Sequence, residues 1–131
     1  MVEFVRKLYA RQVALHAGKA PASGDAFYGL FARELRTLIQ APRPGAAREP
    51  IGRILNAFFG WGILPGQPVQ LDQVMPADGG LKAVRVDLVV RGEKRQLIVR
   101  PVREDGLWKI ADISYDHGDS LLDHYRRITG R

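Results

Sequence analysis

The chain has 131 residues, of which 46% are hydrophobic, 8% aromatic and 26% charged, a composition typical of one globular domain. This composition excludes a disordered chain and a low-complexity fibre, and no apolar run reaches the roughly 20 residues that a membrane-spanning helix needs. The net charge of +6 comes from basic residues that stand singly or in pairs among acidic ones, a distribution that disfavours a nucleic-acid partner. We therefore expect one domain over residues 1–131, without a membrane span.

The helical period of the first half of the chain predicts three helices. The first covers residues 2–16, and the second covers 26–40 with Asp25 as its N-cap. A third, short helix over 51–59 follows Pro50, which is favoured in a first helical turn. Their apolar positions recur every three or four residues: Val5, Leu8, Tyr9 and Val13 in the first helix, and Phe27, Leu30, Phe31, Leu35 and Leu38 in the second.

From residue 69 the hydrophobic period changes to two, which predicts strands. Four strands fit the pattern, over residues 69–75, 84–90, 95–103 and 108–115. Asp119 is placed to cap a short final helix over 120–128. Helices that precede an antiparallel meander define an α+β class. The predicted architecture is therefore N-terminal helices packed on a four-strand antiparallel meander, followed by a short C-terminal helix.

The turn between the second and third strands sets the predicted register. A type II′ turn with Gly92-Glu93 at its centre places Arg85 opposite Arg100, a like-charge pair that needs a carboxylate such as Asp87 beside it. One face of the sheet then carries only aliphatic residues and should lie under the helices: Val84, Val86, Leu88, Val90, Leu97 and Val99. The other face is mixed in character and open.

The turn before the fourth strand leaves two alternatives. A three-residue loop closed by Gly106 puts Trp108, Ile110 and Asp112 on the mixed face, whereas a two-residue loop at 105–106 puts them on the aliphatic face. The first alternative creates an exposed apolar patch fringed by charges, as expected of a protein interface. From this first alternative we predict an interface formed by Arg85, Ile98, Arg100 and Trp108.

Three segments carry a resemblance to a known family. Residues 4–9 (FVRKLY) open the first helix, residues 108–113 (WKIADI) form the last strand, and residues 118–121 (GDSL) follow it. In this order of elements the chain resembles the nuclear transport factor 2-like superfamily, the cystatin-like α+β cone, and within it a bacterial group of unassigned function. The resemblance implies a bent sheet wrapped around helices, with a mostly apolar pocket inside the cone.

The same superfamily includes isomerases, dehydratases and epoxide hydrolases, as well as non-catalytic binding modules and dimers, so the fold does not decide the activity. Enzymes of this resemblance use an acid–base residue inside the cone, and Asp112 is the candidate here, with a salt-bridged surface carboxylate as its alternative role. Apolar ligands would meet Tyr9, Phe31 and Trp61, unless these aromatic residues only fill the core.

Cysteine and histidine chemistry supports neither a metal nor a cofactor. The chain has no cysteine, and its three histidines follow no metal-ligand spacing on one element. The N-terminus shows neither the apolar stretch nor the cleavage site of a signal peptide. We therefore predict no cofactor and no metal. The resemblance implies an exported, periplasmic or secreted protein if a leader was removed, and a cytoplasmic one otherwise.

These observations support three hypotheses about function. The first is a non-catalytic bacterial binding or interaction domain that holds a small apolar ligand in the cone. The second is a cofactor-independent isomerase, dehydratase or hydrolase that uses Asp112. The third is a protein that binds a partner through its exposed sheet face, the face through which we also expect a homodimer.

Overall fold

The computed structural model describes residues 1–18, 28–40, 55–63, 67–77, 82–116 and 118–129, which form an α+β arrangement. The helices are α1 (Val2–His16), α2 (Arg33–Gln40) and α3 (Leu121–Thr129). The strands are β1 (Leu55–Asn56), β2 (Gly60–Trp61), β3 (Val69–Pro76), β4 (Val84–Val90), β5 (Glu93–Glu104) and β6 (Leu107–Ser114). β1 and β2 form a hairpin, and the other four form an antiparallel sheet in the order β3-β4-β5-β6. The predicted fold class is confirmed.

One apolar cluster joins the helices to one side of the sheet. In α1, Val5, Leu8 and Tyr9 recur at helical spacing and are buried in this cluster. The predicted aliphatic face supplies its sheet residues: Val84, Val86, Leu88, Val90, Leu97 and Val99. Alternate strand residues point the other way, and we call that side the outer face. Every helix in the described part of the chain is too short or too polar to cross a membrane.

The turn between β4 and β5 lies one residue earlier than predicted. Arg91 and Gly92 are its central residues, with φ values of 53° and 80°, so the turn is type I′ with glycine in the second position. The pairing therefore moves by two residues, and Arg85 lies opposite Ile98 rather than Arg100. Because a shift of two preserves the alternation of a strand, every side chain stays on its predicted face.

The two-residue alternative describes the turn between β5 and β6. Asp105 and Gly106 have φ values of 53° and 78°, again a type I′ turn, and Glu104 pairs with Leu107. Trp108 consequently lies on the helix side of the sheet and not on the outer face. Its ring stacks on Phe4 of α1, with 6.2 Å between the ring centroids.

A β-bulge then reverses the alternation within β6. Arg100 pairs with Asp112 and Pro101 pairs with Ile110, so Ala111 is the extra residue. Pro101 has no N–H to donate to the ladder, and proline inside a sheet is found at such irregularities. The bulge returns Asp112 to the outer face although Ile110 is buried. Both predicted alternatives place Ile110 and Asp112 on the same face of the sheet, so each is wrong for one of the two residues.

The second predicted helix, over residues 26–40, is not continuous, because residues 29–32 run along the edge of β6 before α2 begins. The N–H of Ala32 donates to the carbonyl of Ile110, and the N–H of Ile110 donates to the carbonyl of Leu30, both at 2.8 Å. These bonds satisfy the backbone of Ile110 on the open edge of β6, a tertiary gain that exceeds the local preference for helix. The predicted cap Asp25 lies outside the described residues.

The β1–β2 hairpin occupies part of the third predicted helix, over residues 51–59. Leu55 pairs with Trp61, and the turn between the strands buries the adjacent rings of Phe58 and Phe59. Residues 51–54 of that prediction lie outside the described part of the chain.

Candidate functional site

Tyr9 and Phe31, two of the three predicted ligand-binding residues, meet on the ring of Phe58. The Phe58 ring stacks on Phe31 at 5.6 Å and makes an edge contact with Tyr9 at 5.7 Å between ring centroids. All three side chains are buried. The hairpin turn thus inserts Phe58 where we expect the ligand, and the described aromatic residues here form packed core.

Trp61, the third predicted ligand-binding residue, lies elsewhere. Its ring makes an edge contact with His124 of α3, with 4.7 Å between the centroids. Gly60, beside it, has a φ of 101°, a conformation that side chains rarely adopt. Trp61 therefore connects the β1–β2 hairpin to α3, and its ring does not lie against the ring of Phe58.

Hydrogen bonds from the sheet side hold both ends of the hairpin turn. The Tyr115 hydroxyl donates to the carbonyl of Ala57 at 2.7 Å, and the guanidinium of Arg95 donates to the carbonyl of Phe59 at 3.1 Å. Since these carbonyls flank Phe58, the two bonds fix its backbone on both sides. Sequence reasoning missed Tyr115 and Arg95, because their partners are backbone groups of a segment predicted to be helical.

The Tyr9 hydroxyl is a buried polar group without a hydrogen-bond partner among the described residues. Burial raises the pKa of Tyr9 far above its usual value, and burial with the nearby Tyr9 does the same for Tyr115. Both phenols are therefore neutral over the physiological pH range. An unsatisfied hydroxyl in a packed core is destabilising, whereas a hydrogen-bonded one such as that of Tyr115 is stabilising. We therefore expect different changes in stability when the hydroxyl of Tyr9 or that of Tyr115 is removed.

We expect Tyr115→Phe to lower the free energy of unfolding by about 1 kcal/mol, since the Ala57 carbonyl loses its donor. Tyr9→Phe removes only the unpartnered hydroxyl and should leave stability unchanged or raise it by up to about 1 kcal/mol. Urea unfolding followed by circular dichroism checks both variants. An equal loss in the two variants would contradict the different roles assigned to the hydroxyls.

Asp112, the predicted catalytic candidate, binds the start of α3. Its Oδ1 accepts the N–H of Leu122 at 2.9 Å and the N–H of Ile113 at 2.8 Å. Ser120 Oγ accepts the N–H of Asp123 at 3.1 Å and acts as the N-cap, the role predicted for Asp119. Asp119 instead forms an ion pair with Arg127, so the predicted cap is wrong by one residue.

The outer face holds three of the four predicted interface residues. Arg85, Ile98 and Arg100 lie on it, whereas Trp108 lies on the other side and also contacts the Arg103 guanidinium, 4.7 Å from its ring centroid. Arg85 binds Asp87 through two hydrogen bonds of 2.9 and 3.0 Å. This guanidinium holds the pKa of Asp87 below its usual value. Asp87 therefore neutralises Arg85, as predicted, but not Arg100, which was expected opposite Arg85 and does not pair with it.

A polar cleft of about 360 Å³ opens on the outer face over β3, β4 and β5. Gln73 donates to Asp87 at 2.9 Å across its floor. Asp72 and Asp116 belong to its lining and make no hydrogen bond or ion pair among the described residues. The cleft was not predicted, because Asp72 sits at a bulge between Leu71 and Gln73 that the sequence pattern does not reveal.

A second groove, of about 380 Å³, lies where α1 ends beside β3. His16 forms one wall, and its Nε2 donates to the carbonyl of Gln67 at 2.7 Å, since a carbonyl can only accept. The other lining residues are mostly apolar and include Val13, Pro68 and Val69.

The described residues contain no group of three or more His, Asp or Glu side chains able to hold a metal ion.

Comparison with known proteins gives no relative: no family model matches the chain, and no curated protein and no solved structure matches it significantly. The function therefore has to be argued from the geometry of this chain alone.

Proposed function

We propose that this protein is a non-catalytic interaction domain, similar in architecture to the nuclear transport factor 2-like cone, and that it forms a homodimer through the outer face of its sheet. The observation that carries the proposal is the division of the sheet into two sides. The buried residues of all three described helices join one side. The other side meets described elements near β6, where Asp112, Glu104 and Lys109 bond to the backbone of Leu122, Arg33 and Gly29, and no described element covers Ile98 at its centre.

The outer face carries three apolar residues on β4 and β5, the two inner strands: Val89, Ile98 and Val102. Each is half-buried without a covering element in the described part of the chain, and Val89 and Val102 lie about 13 Å from Ile98 along the strands in opposite directions. An apolar centre surrounded by polar side chains is the usual composition of a protein interface. Ile98 is the most central of the three, since it lies in the middle of β5.

The charges of the outer face favour a second copy as the partner. The chain as a whole carries +6, so two copies repel each other at most orientations. Side chains on the outer face carry both signs in near balance: Arg85, Lys94, Arg100 and Lys109 against Asp87, Glu104 and Asp112. This side of the molecule can therefore meet its own copy with little repulsion, as an isologous interface requires.

The other two hypotheses receive less support from the geometry. An Asp112 enzyme needs its carboxylate free inside a pocket, but one carboxylate oxygen accepts two backbone N–H groups, that of Leu122 at the start of α3 and that of Ile113 in β6. A ligand between Tyr9, Phe31 and Trp61 needs the space that Phe58 occupies. The catalytic and the apolar-ligand proposals thus require rearrangements that the interaction proposal does not.

The test is sedimentation velocity of the wild type and of Ile98→Lys at about 0.1 mM, where an interface of micromolar Kd is almost fully dimeric. We expect a wild-type dimer and a monomeric variant, because two lysines would meet at the centre of the face. Thr37→Lys, at an exposed position of α2, is the matched control and should stay dimeric. A monomeric wild type, or a dimeric Ile98→Lys, would overturn the proposal.

A further inference from the structure

The centre of the outer face carries a cation beside its apolar side chain. Arg85 lies directly opposite Ile98, on the neighbouring strand. Paired residues of adjacent strands are about 5 Å apart, so a two-fold axis at Ile98 also passes close to Arg85. The two copies of Arg85 then lie within about 10 Å of each other in the plane of the interface, whether the axis runs along the strands or across them. A homodimer through this face therefore has two guanidinium groups near its centre.

Two like charges in this position oppose association. A guanidinium group stays charged at every physiological pH, and its repulsion of a second one is stronger where an interface excludes water. Salt screens exposed charges beyond about 8 Å under physiological conditions, but it screens buried pairs much less. The net charge of +6 on each chain adds to the repulsion. An uncompensated Arg85 would therefore disfavour the contact that Ile98 favours.

Asp87 compensates the charge of Arg85 within the same chain. Residues two apart on a strand share a face, and the Asp87 carboxylate accepts two hydrogen bonds from the guanidinium, at 2.9 Å from Nε and at 3.0 Å from Nη2. Gln73 of β3 donates a third hydrogen bond to this carboxylate, at 2.9 Å. The side chain of Asp87 is 13% exposed and that of Arg85 is 36% exposed. The ion pair is therefore already arranged, and partly withdrawn from water, in a single chain.

The same hydrogen bonds determine where the guanidinium lies. Asp87 pairs with Gln96, which is two residues from Ile98 along β5. The bidentate contact therefore draws the Arg85 side chain along β4 towards Asp87 and away from the row of Ile98. Asp87 thus has two effects on the outer face, since it neutralises the cation and keeps it clear of the apolar side chain.

We infer that Asp87 is the residue that allows the outer face to associate with a second copy, because it neutralises Arg85 and holds its side chain along β4. The inference rests on the proposed homodimer and adds a positioning residue to its interface. Without the carboxylate, the two copies of Arg85 repel each other and the released side chain can lie over Ile98. When both charged groups are removed, the centre of the face is neutral again.

A double-mutant cycle tests this role with Asp87→Asn, Arg85→Gln and the double variant. Asp87→Asn keeps the size of the side chain but leaves two guanidinium charges at the centre, so we expect the dimer Kd to rise about tenfold or more. This loss should shrink as salt is added, since salt screens the repulsion. Arg85→Gln leaves two carboxylates there and should raise the Kd less, because Lys94 also attracts Asp87. The double variant should have a Kd within about threefold of the wild-type value.

Sedimentation velocity gives the Kd values, and circular dichroism verifies that each variant is folded. Glu34→Gln is the matched control, since it removes the carboxylate of another arginine ion pair, with Arg126, that joins α2 to α3. Its Kd should equal that of the wild type. A wild-type dimer that Asp87→Asn leaves intact, or a double variant that associates no better than Asp87→Asn, overturns this inference and leaves the proposed dimer standing. A monomeric wild type overturns both.

Discussion

Replacement of Phe58 by alanine is expected to lower the free energy of unfolding by about 3–5 kcal/mol, the range found when a buried aromatic ring is removed from a packed core. Phe58 is 1% exposed and contacts the rings of both Tyr9 and Phe31. Its backbone cannot move to fill the void, because the carbonyls on both sides are held by Tyr115 and Arg95. A loss of this size is a large part of the 5–15 kcal/mol typical of a small domain.

Guanidinium chloride unfolding measures this change, with Leu107→Ala as the matched control. Leu107 is a large apolar residue that is 60% exposed, so its truncation should cost less than about 0.5 kcal/mol. If Phe58→Ala does not accumulate as folded protein, Phe58→Leu keeps part of the packing and should give an intermediate loss. A loss below about 1.5 kcal/mol for Phe58→Ala would show that the hairpin turn is not part of the core.

The second large effect is expected at Asp112. Asp112→Ala removes the acceptor of the Leu122 and Ile113 N–H groups and should lower the free energy of unfolding by about 2 kcal/mol. Asp112→Asn keeps an amide oxygen at the same place and caps a helix equally well, so its loss should stay below about 0.5 kcal/mol. Amide exchange at Leu122 should accelerate in the alanine variant alone.

Asp123→Ala is the control for this comparison, because Asp123 is an exposed acidic residue in the same helical turn. Its side chain contributes through the helix dipole and through an exposed attraction to Arg127, and its loss should stay below about 1 kcal/mol. If Asp112→Asn costs as much as Asp112→Ala, the negative charge itself is needed. That result would revive a chemical role for this carboxylate.

The faces of the sheet could be predicted from the sequence even though a turn was misplaced. The Arg91-Gly92 turn moved the register by two residues, and an even shift leaves alternation unchanged. The position of Asp112 could not be predicted in the same way, because it depends on the bulge at Ala111. Pro101 was the available signal, since a proline inside a central strand requires an irregularity in the ladder.

The predictions of helix were wrong where tertiary contacts outweighed the local preference for helix. The apolar spacing of Leu30 and Phe31 fits a helix, but the backbone of Leu30 and Ala32 completes the edge of β6. The hairpin at Phe58 was not predicted for a related reason, since two adjacent aromatic rings are consistent with a short helix until the core in which they are buried is known. Both errors concern partners distant in sequence, which periodicity does not report.

The bonds that Leu30 and Ala32 make to Ile110 also restrict how this protein can polymerise. A free edge strand can recruit further chains sideways, and that growth has no natural end. Here Leu30 and Ala32 already bond to the edge of β6 at Ile110. The opposite edge strand, β3, is interrupted by a bulge after Leu71, and its Val74 carbonyl accepts a hydrogen bond from Arg6. Lateral addition to fibrils is therefore hindered on both flanks, and the proposed pairing of outer faces would end at two copies.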